Sequence, residues 1–521
     1  MMPFYPRRVQ PSASSVPPGS DALARAGVIE GDRGATRGLA AGEVAFFPEA
    51  KFCILVPVPI LAANQGFEEE SMASERQRVV IIGGGFAGIY TGRGLEKAMR
   101  DGTLEVILIN RKNFFLYYPI LPEVCSGGVE PWHVLVPLRD IFSQCLLLDA
   151  EVVGIDFAER RVFVKHGTTL ECGDLSYDHL VLAAGADANL TLVPGVDRYA
   201  FTFRSVEDAI TLRNQIGDML EDAELETDPA RRQELLTFLV VGGGSTGVEV
   251  LSEVESYISG IVGKYRVHPD EIRLILMDLA PHILAEVGPE LGDYALKQIR
   301  GRGVEVMLET STQEVFPDHV LLADGREIRT RTVIWTIGLA PPALLKQLDL
   351  PKDGKGYLQP EATMQVPGMV NVWALGDCAR IMAPNGKPFP PTAQHAVRQG
   401  KQLAKNILAV TRGEAPGRYC FEPMGTLVSI GGKKGVATIR GRHVKGWLAW
   451  AMWRGVHLAL MPSADRRIRL VIDWMLSAFL PRDTAQLEVT PKPAPEVPPG
   501  REPRVVFLRE TGRVEVRPRQ D

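Results

Sequence analysis

Residues Val79–Tyr90 read VVIIGGGFAGIY, an apolar run that delivers Gly83, Gly85 and Gly88 at GxGxxG spacing into a helix-compatible stretch. One glycine makes the tight turn, one admits the backbone close to a pyrophosphate, and one lets helix pack on strand. The pyrophosphate then meets a helix N-terminus, where free N–H groups and the helix dipole favour negative charge. A single such motif says little. A second copy, FLVVGGGSTGVEV at Phe238–Val250, sets Gly242, Gly244 and Gly247 at the same spacing. Two dinucleotide sites in one chain predict an α/β fold with two Rossmann-like domains and a flavoprotein that passes electrons between two nucleotides.

A length of 521 residues leaves room for two or three domains. With 45% apolar and 23% charged residues the composition is that of an ordinary globular protein, and a net charge of −5 argues against a general nucleic-acid binder. The six cysteines (Cys53, Cys125, Cys145, Cys172, Cys378 and Cys420) form neither a CxxC pair nor a metal-like spacing, so buried reduced thiols and no metal are expected. No apolar run reaches the roughly 18–20 residues that a spanning helix needs.

Residues 1–75 differ from the rest. Met1–Ala45 is rich in Pro, Gly, Ser, Ala and Arg without a period and reads as disordered. Phe52–Ala63 is apolar, but Pro57 and Pro59 break it and it lacks the flanks of a secretion signal. Glu68-Glu69-Glu70-Ser71-Met72 admits two readings: purine-rich codons of a bacterial ribosome-binding sequence ahead of a native start at Met72, or a real extension.

The first nucleotide domain is expected over 76–200 and 341–424. Ile89–Arg100 suits its first helix and Leu104–Asn110 (LEVILIN) its next strand. That strand ends in Asn110, where Asp or Glu usually binds a ribose hydroxyl. Phe114–Gly128 (FFLYYPILPEVCSGG) suits either core packing or a wall beside a flavin, and Glu151–Lys165 alternates like a hairpin. Tyr177–Gly185 ends in small residues, among them Ala184, where a dinucleotide can lie against backbone. The strand Val370–Asp377 (VNVWALGD) offers Asp377 for a ribityl chain. Pro390–Gly400 (PPTAQHAVRQG) then opens a helix that Thr392 can cap, its N-terminus toward the flavin's pyrimidine end.

The second nucleotide domain is expected over 201–340. Ser205-Val206-Glu207-Asp208 resembles a capping box that opens a helix to about Glu221. Glu249, two residues past Gly247, either faces the ligand or favours the helix N-terminus. Arg273–Asp278 (RLILMD) ends in an acid that accepts from both ribose hydroxyls and repels a 2′-phosphate, which favours NADH over NADPH. Thr332–Gly338 (TVIWTIG) mirrors the strand that ends at Gly185.

From Gly425 the character changes. Gly446–Met461 and Asp465–Leu480 read as two short apolar helices around Pro462, carrying Trp447, Trp450, Trp453 and Trp474. Lys433–Arg482 holds ten Lys or Arg against two acids, so residues 425–488 suit an anionic membrane surface, with a dimer interface or helical lid as the alternative. The Pro-rich tail 489–521 is expected to be flexible.

Together these residues resemble the type II NADH dehydrogenases, single-subunit, non-pumping NADH:quinone oxidoreductases, over about Gln77 to Leu487. The resemblance rests on both glycine loops, FFLYYPILPEV, GGGSTGVE, WALGD, PPTAQHAVRQG and the GWLAWAMWRGVHL…IDWMLSAFL tail. It implies FAD on Gly83, Gly85, Gly88 and Asp377, and NADH on Gly242, Gly244, Gly247 and Asp278. Glu249 would lie near the nicotinamide, and Ala393, Gln394 and Gln399 would line the flavin edge and quinone pocket. The implied chemistry is hydride transfer to the flavin and two-electron reduction of a membrane quinone, with Glu249, Gln394 and Gln399 as candidate tuning or proton-delivery residues. The implied location is the cytoplasmic face of the cell membrane, peripherally bound, and a homodimer is compatible with the family. Asn110 departs from the usual acid, and Arg398 stands where the quinone motif often has Gln. Ile89–Val124 lacks the cysteine pair of a disulfide reductase. A sulfide:quinone oxidoreductase, with Cys125 and Cys378 as candidate thiols, and a redox-sensing protein that binds FAD and NADH are the competing readings.

Overall fold

The computed structural model describes residues 76–166, 172–423, 425–487 and 489, and the backbone alone at 172, 504–508 and 513–517. The expectations for residues 1–75, including the start at Met72, fall outside the described residues. Six strands open the first sheet: β1 (Gln77–Ile82), β2 (Leu104–Asn110), β3 (Leu146–Asp156), β4 (Arg161–His166), β5 (Cys172–Ser176) and β6 (His179–Leu182). Strand β1 pairs in parallel with β2 and β6, and β2 with β3. Val79, Val80 and Ile81 are fully buried because both faces of this central strand are covered, which is why the run is apolar without alternation. The predicted hairpin is β3–β4, antiparallel, with β5 added at its edge. Val372–Ala374 returns from far along the chain to pair in parallel with β6.

The second sheet is parallel throughout: β7 (Ala200–Phe201), β8 (Thr237–Val241), β9 (Arg273–Met277), β10 (Glu305–Met307) and β11 (Thr332–Trp335), in the spatial order β7-β11-β8-β9-β10. Ala200 already pairs with Val333, so this sheet begins one residue before the expected boundary.

Helices follow the glycine loops directly. α1 spans Phe86–Arg100, starting at Phe86 rather than Ile89 because Gly85 is itself the N-cap. α2 spans Val206–Leu225, longer than expected; the Ser205 hydroxyl accepts from the Asp208 N–H and caps it. α3 spans Ser245–Ile261 and α4 spans Ala393–Thr411. A side chain at Gly94 would strike Ala404, and one at Gly400 would strike the Ala87 carbonyl. Small residues therefore let α4 lie hard against α1, which brings the α4 N-terminus to the first glycine loop.

Two antiparallel sheets went unseen in the sequence. Thr312–Val315, His319–Leu322 and Glu327–Arg329 cover the outer face of the second sheet with Val315, Val320, Leu322 and Ile328. Gly425–Ser429, Gly435–Ile439 and Arg442–Gly446 precede α5 (Trp447–Leu460) and α6 (Ala464–Phe479). Their strands are three to five residues long, too short to show apolar alternation. Within the tail, backbone Arg504–Leu508 pairs antiparallel with Arg513–Arg517.

Candidate functional site

The two glycine loops have one geometry. Gly83 and Gly242 stand at φ +110° and +119°, in the region that favours glycine. A Cβ at Gly88 would lie 1.9 Å from the Gly83 carbonyl oxygen, and one at Gly247 would lie 1.8 Å from that of Gly242. Neither site tolerates a side chain, because the first helical turn closes onto the strand. Gly85 and Gly244 differ: a Cβ there would meet no protein atom within 4 Å. That open space, at the N-termini of α1 and α3, is a cradle for a diphosphate.

The acid positions are equivalent as well. The Gly84 N–H donates to Asn110 Oδ1 at 2.8 Å, and the Gly243 N–H donates to Asp278 Oδ2. Asn110 Nδ2 donates to the Lys112 carbonyl at 2.7 Å. Asn110 therefore performs the loop-tying half of an acid's role without its charge. Asp278 Oδ1 accepts from the Ala280 N–H at 2.6 Å. The Ser245 N–H, at the α3 N-terminus, donates to Glu286 Oε1 at 2.8 Å, so a carboxylate already sits where the dipole favours an anion.

A cavity of about 600 Å³ lies between the two sheets. Gly85, Asn110, Ala184, Asp377 and Ala393 line it from the first domain, and Gly338 lines it from the second. Phe114, Phe115 and Tyr118 add an aromatic wall, so the segment after β2 serves as cavity lining, and Phe115 serves as core at the same time. Burial raises the Asp377 carboxyl above its ordinary value, with Arg204 and Arg380 opposing the shift. Arg204 was missed in the sequence. It lines the cavity, lies 5.2 Å from the Tyr118 ring centre and donates to the Ala186 carbonyl at 2.7 Å. An arginine just ahead of a capped helix in a nucleotide domain was the available signal.

Gln399 is buried and accepts from the Gly376 N–H at 2.8 Å, fixing the turn that carries Asp377. Gln394 Nε2 donates to the Gly425 carbonyl at 2.9 Å and ties α4 to the C-terminal sheet. Neither is among the residues that line the cavity. Arg398 stacks 3.9 Å from the Phe421 ring centre. The Thr392 hydroxyl caps α4 through the His395 N–H.

Glu249 lies outside the cavity lining, on α3, facing the C-terminal domain. Its Oε1 accepts from the Ser429 N–H at 3.1 Å and from the Trp453 indole at 2.9 Å. Part of the side chain remains open to solvent, yet the surrounding protein pushes its carboxyl up to about 8, against the two hydrogen bonds and with the nearby Glu253 and Glu123 adding to the rise. Glu123, on the short helix Leu121–Cys125, is buried; it accepts from the Trp474 indole at 2.6 Å and faces Arg454. Its carboxyl is likewise raised by burial. Cys125 and Cys378 are buried free thiols whose pKa burial raises, which opposes the thiolate chemistry of a sulfide oxidoreductase.

The pattern described as "Pyridine nucleotide-disulphide oxidoreductase" matches residues 77–400, and that described as "NDH2 C-terminal domain" matches residues 424–483. The chain is 30% identical over 452 residues to the type II NADH:quinone oxidoreductase NdhA of Mycobacterium tuberculosis, covering 81% of this chain and 91% of the relative. It is 29% identical over 449 residues to the internal alternative NAD(P)H-ubiquinone oxidoreductase A1 of Arabidopsis thaliana, covering 79% and 86%. A solved structure of NDH2 from Plasmodium falciparum in complex with NADH superposes with a TM-score of 0.73 at 21% identity, covering 79% of this chain and all of that one, and so shares its fold. Both nucleotide cradles and the C-terminal domain thus fall within matched segments, and the chain belongs to the type II NADH dehydrogenase family.

Proposed function

We propose that this protein oxidises NADH and reduces a membrane quinone by two electrons, without pumping protons, with FAD resident on the first glycine loop. The observation that carries the reading is the pair of equivalent glycine cradles, the first of which lines a cavity that also takes Thr246 from the second and has walls from both sheets. The first cradle fits FAD. Gly85 leaves space that a Cβ would fill, the α1 N-terminus faces it, and Arg204 supplies a cation beside Asp377. FAD, when bound, supplies the two-electron chemistry between dihydronicotinamide and quinone.

The protein's own residues place and bias that chemistry. The α4 N-terminus, carrying about half an elementary positive charge, favours negative charge at the cavity. Gln399 holds the Asp377 turn, and Gln394 holds the C-terminal sheet against α4. Asp278 selects NADH at the second cradle. The overall reaction, NADH + H⁺ + quinone → NAD⁺ + quinol, takes one proton from solution. Glu249, with its carboxyl raised to about 8, holds a proton at neutral pH beside the C-terminal domain.

The same proposal places the enzyme on the cytoplasmic face of the membrane, peripherally bound through α5 and α6, and allows a homodimer. Among the described residues no helix is long and apolar enough to cross a membrane. Ile468 and Phe479 on α6 are 63% and 87% exposed, and Trp447 on α5 is 65% exposed. The exposed Lys433, Arg440 and Arg442 add positive charge to the same domain. Steady-state oxidation of NADH and NADPH by the FAD-loaded protein against a panel of quinones tests the activity. Absence of turnover with FAD bound would instead favour a redox-sensing role.

A further inference from the structure

We propose that Trp132, in the first nucleotide domain, is a lipid-contacting anchor that extends the membrane face of α5 and α6. The inference rests on the membrane reading above. Trp132 sits in the turn Pro131–His133 and is 72% exposed. A tryptophan left so open presents a large apolar body with a polar N–H, the combination that suits the headgroup boundary of a bilayer.

Its place in the fold is fixed by the C-terminal domain. His133 Nδ1 lies 2.5 Å from Asp473 Oδ2, and the Glu130 N–H donates to the same oxygen at 3.2 Å. Asp473 is a buried residue of α6. A Cβ on Gly128 would lie 3.3 Å from Arg482, so the loop also lies against the segment that follows α6. A turn from the first domain is therefore fastened to α6 on both sides of Trp132, while Trp132 itself stays outside. α6 presents Ile468, Met475, Leu476 and Phe479 as exposed apolar side chains, and the turn fastened to that helix carries one more exposed apolar side chain.

Charge decides between a lipid surface and a second copy of this chain. A two-fold dimer sets a patch against itself, and the exposed cations Lys433, Arg440 and Arg442 would then meet their own kind. An anionic bilayer is the complementary surface.

The test uses the full FAD-loaded chain with sedimenting vesicles of equal parts phosphatidylcholine and phosphatidylglycerol. Trp132→Ser is expected to weaken partitioning on the order of tenfold, the equivalent of one large side chain leaving an apolar environment, with NADH oxidation by a water-soluble quinone unchanged. Quenching by brominated lipid is expected to shrink in Trp132→Phe, which keeps the apolar ring. Phe479→Ser serves as the reference for the helices. If Phe479→Ser releases the protein and Trp132→Ser does not, the anchor assignment is wrong while the membrane reading stands. If neither variant weakens binding, both fail. A change in oligomeric mass for Trp132→Ser with unaltered partitioning would identify a second copy as the partner and overturn the lipid assignment.

Discussion

The Trp453 indole N–H donates to Glu249 at 2.9 Å, joining a helix of the C-terminal domain to the helix that begins at the second glycine loop. Trp474 makes the matching bond to Glu123 at 2.6 Å. A hydrogen bond to a neutral carboxyl contributes about 1 kcal/mol, and more once the carboxyl is charged, so the C-terminal helices are latched to carboxyls whose protonation is coupled to their seating.

Stability should fall as pH rises across the window set by Glu249. Its folded-state pKa is raised from 4.5 to about 8. Between those values the folded protein holds a proton that the unfolded chain releases, so stability present at low pH is lost as pH climbs. The slope is up to about 1.4 kcal/mol per pH unit for one carboxyl. Thermal unfolding of Glu249→Gln should show a flatter slope than wild type over this window. An unchanged slope would mean that Glu249 ionises as a surface carboxyl does.

Valine at either open glycine should separate the two nucleotide sites. Gly85→Val fills the first cradle and should yield protein without flavin absorbance at an unchanged fold. Gly244→Val should keep its flavin and raise the KM for NADH by about tenfold or more, the cost of a lost diphosphate contact. Flavin loss from Gly244→Val would reverse the assignment of the loops.

Asp278 should govern the choice of nucleotide. Its carboxylate sits at the end of β9, tied to the Gly243 and Ala280 N–H groups. Asp278→Ser removes the charge that opposes a 2′-phosphate. The NADH preference, measured as the ratio of kcat/KM values, should shrink by about tenfold or more, equivalent to about 1.4 kcal/mol.

Glu286 should oppose NADH binding. It occupies the α3 N-terminus through the Ser245 N–H, so a diphosphate must displace it. Glu286→Gln keeps the shape but not the charge. The dissociation constant for NADH should drop severalfold, about 1 kcal/mol, by flavin or nicotinamide fluorescence titration. Weaker binding would show that Glu286 holds the nucleotide instead.

Local chemistry made the frame legible. Apolar runs ending in GxGxxG announced the parallel centres of both sheets. Asn110 and Asp278 were found by their distance from the glycines, because a strand, a turn and a helix of set length place the end of the next strand beside the loop. Gln394 and Gln399 were read as edge residues from their motif, but the structure sets both against backbone. A helix face cannot be read until its neighbours are known. The C-terminal strands were hidden because each is only five residues long, too short to show a period.

By itself the sequence determined the number and order of the glycine cradles, since each depends on residues within one strand–loop–helix unit. Only the tertiary structure decided that Arg204 joins Asp377 at the cavity, that Glu249 and Glu123 lie under tryptophans some two hundred and more than three hundred residues away, and that Trp132 stands beside α6. Those pairings depend on how α1 and α4 pack and how the C-terminal domain closes. Burial and long-range charge, which set the proton affinity of the carboxyls, exist only once distant segments have excluded water together.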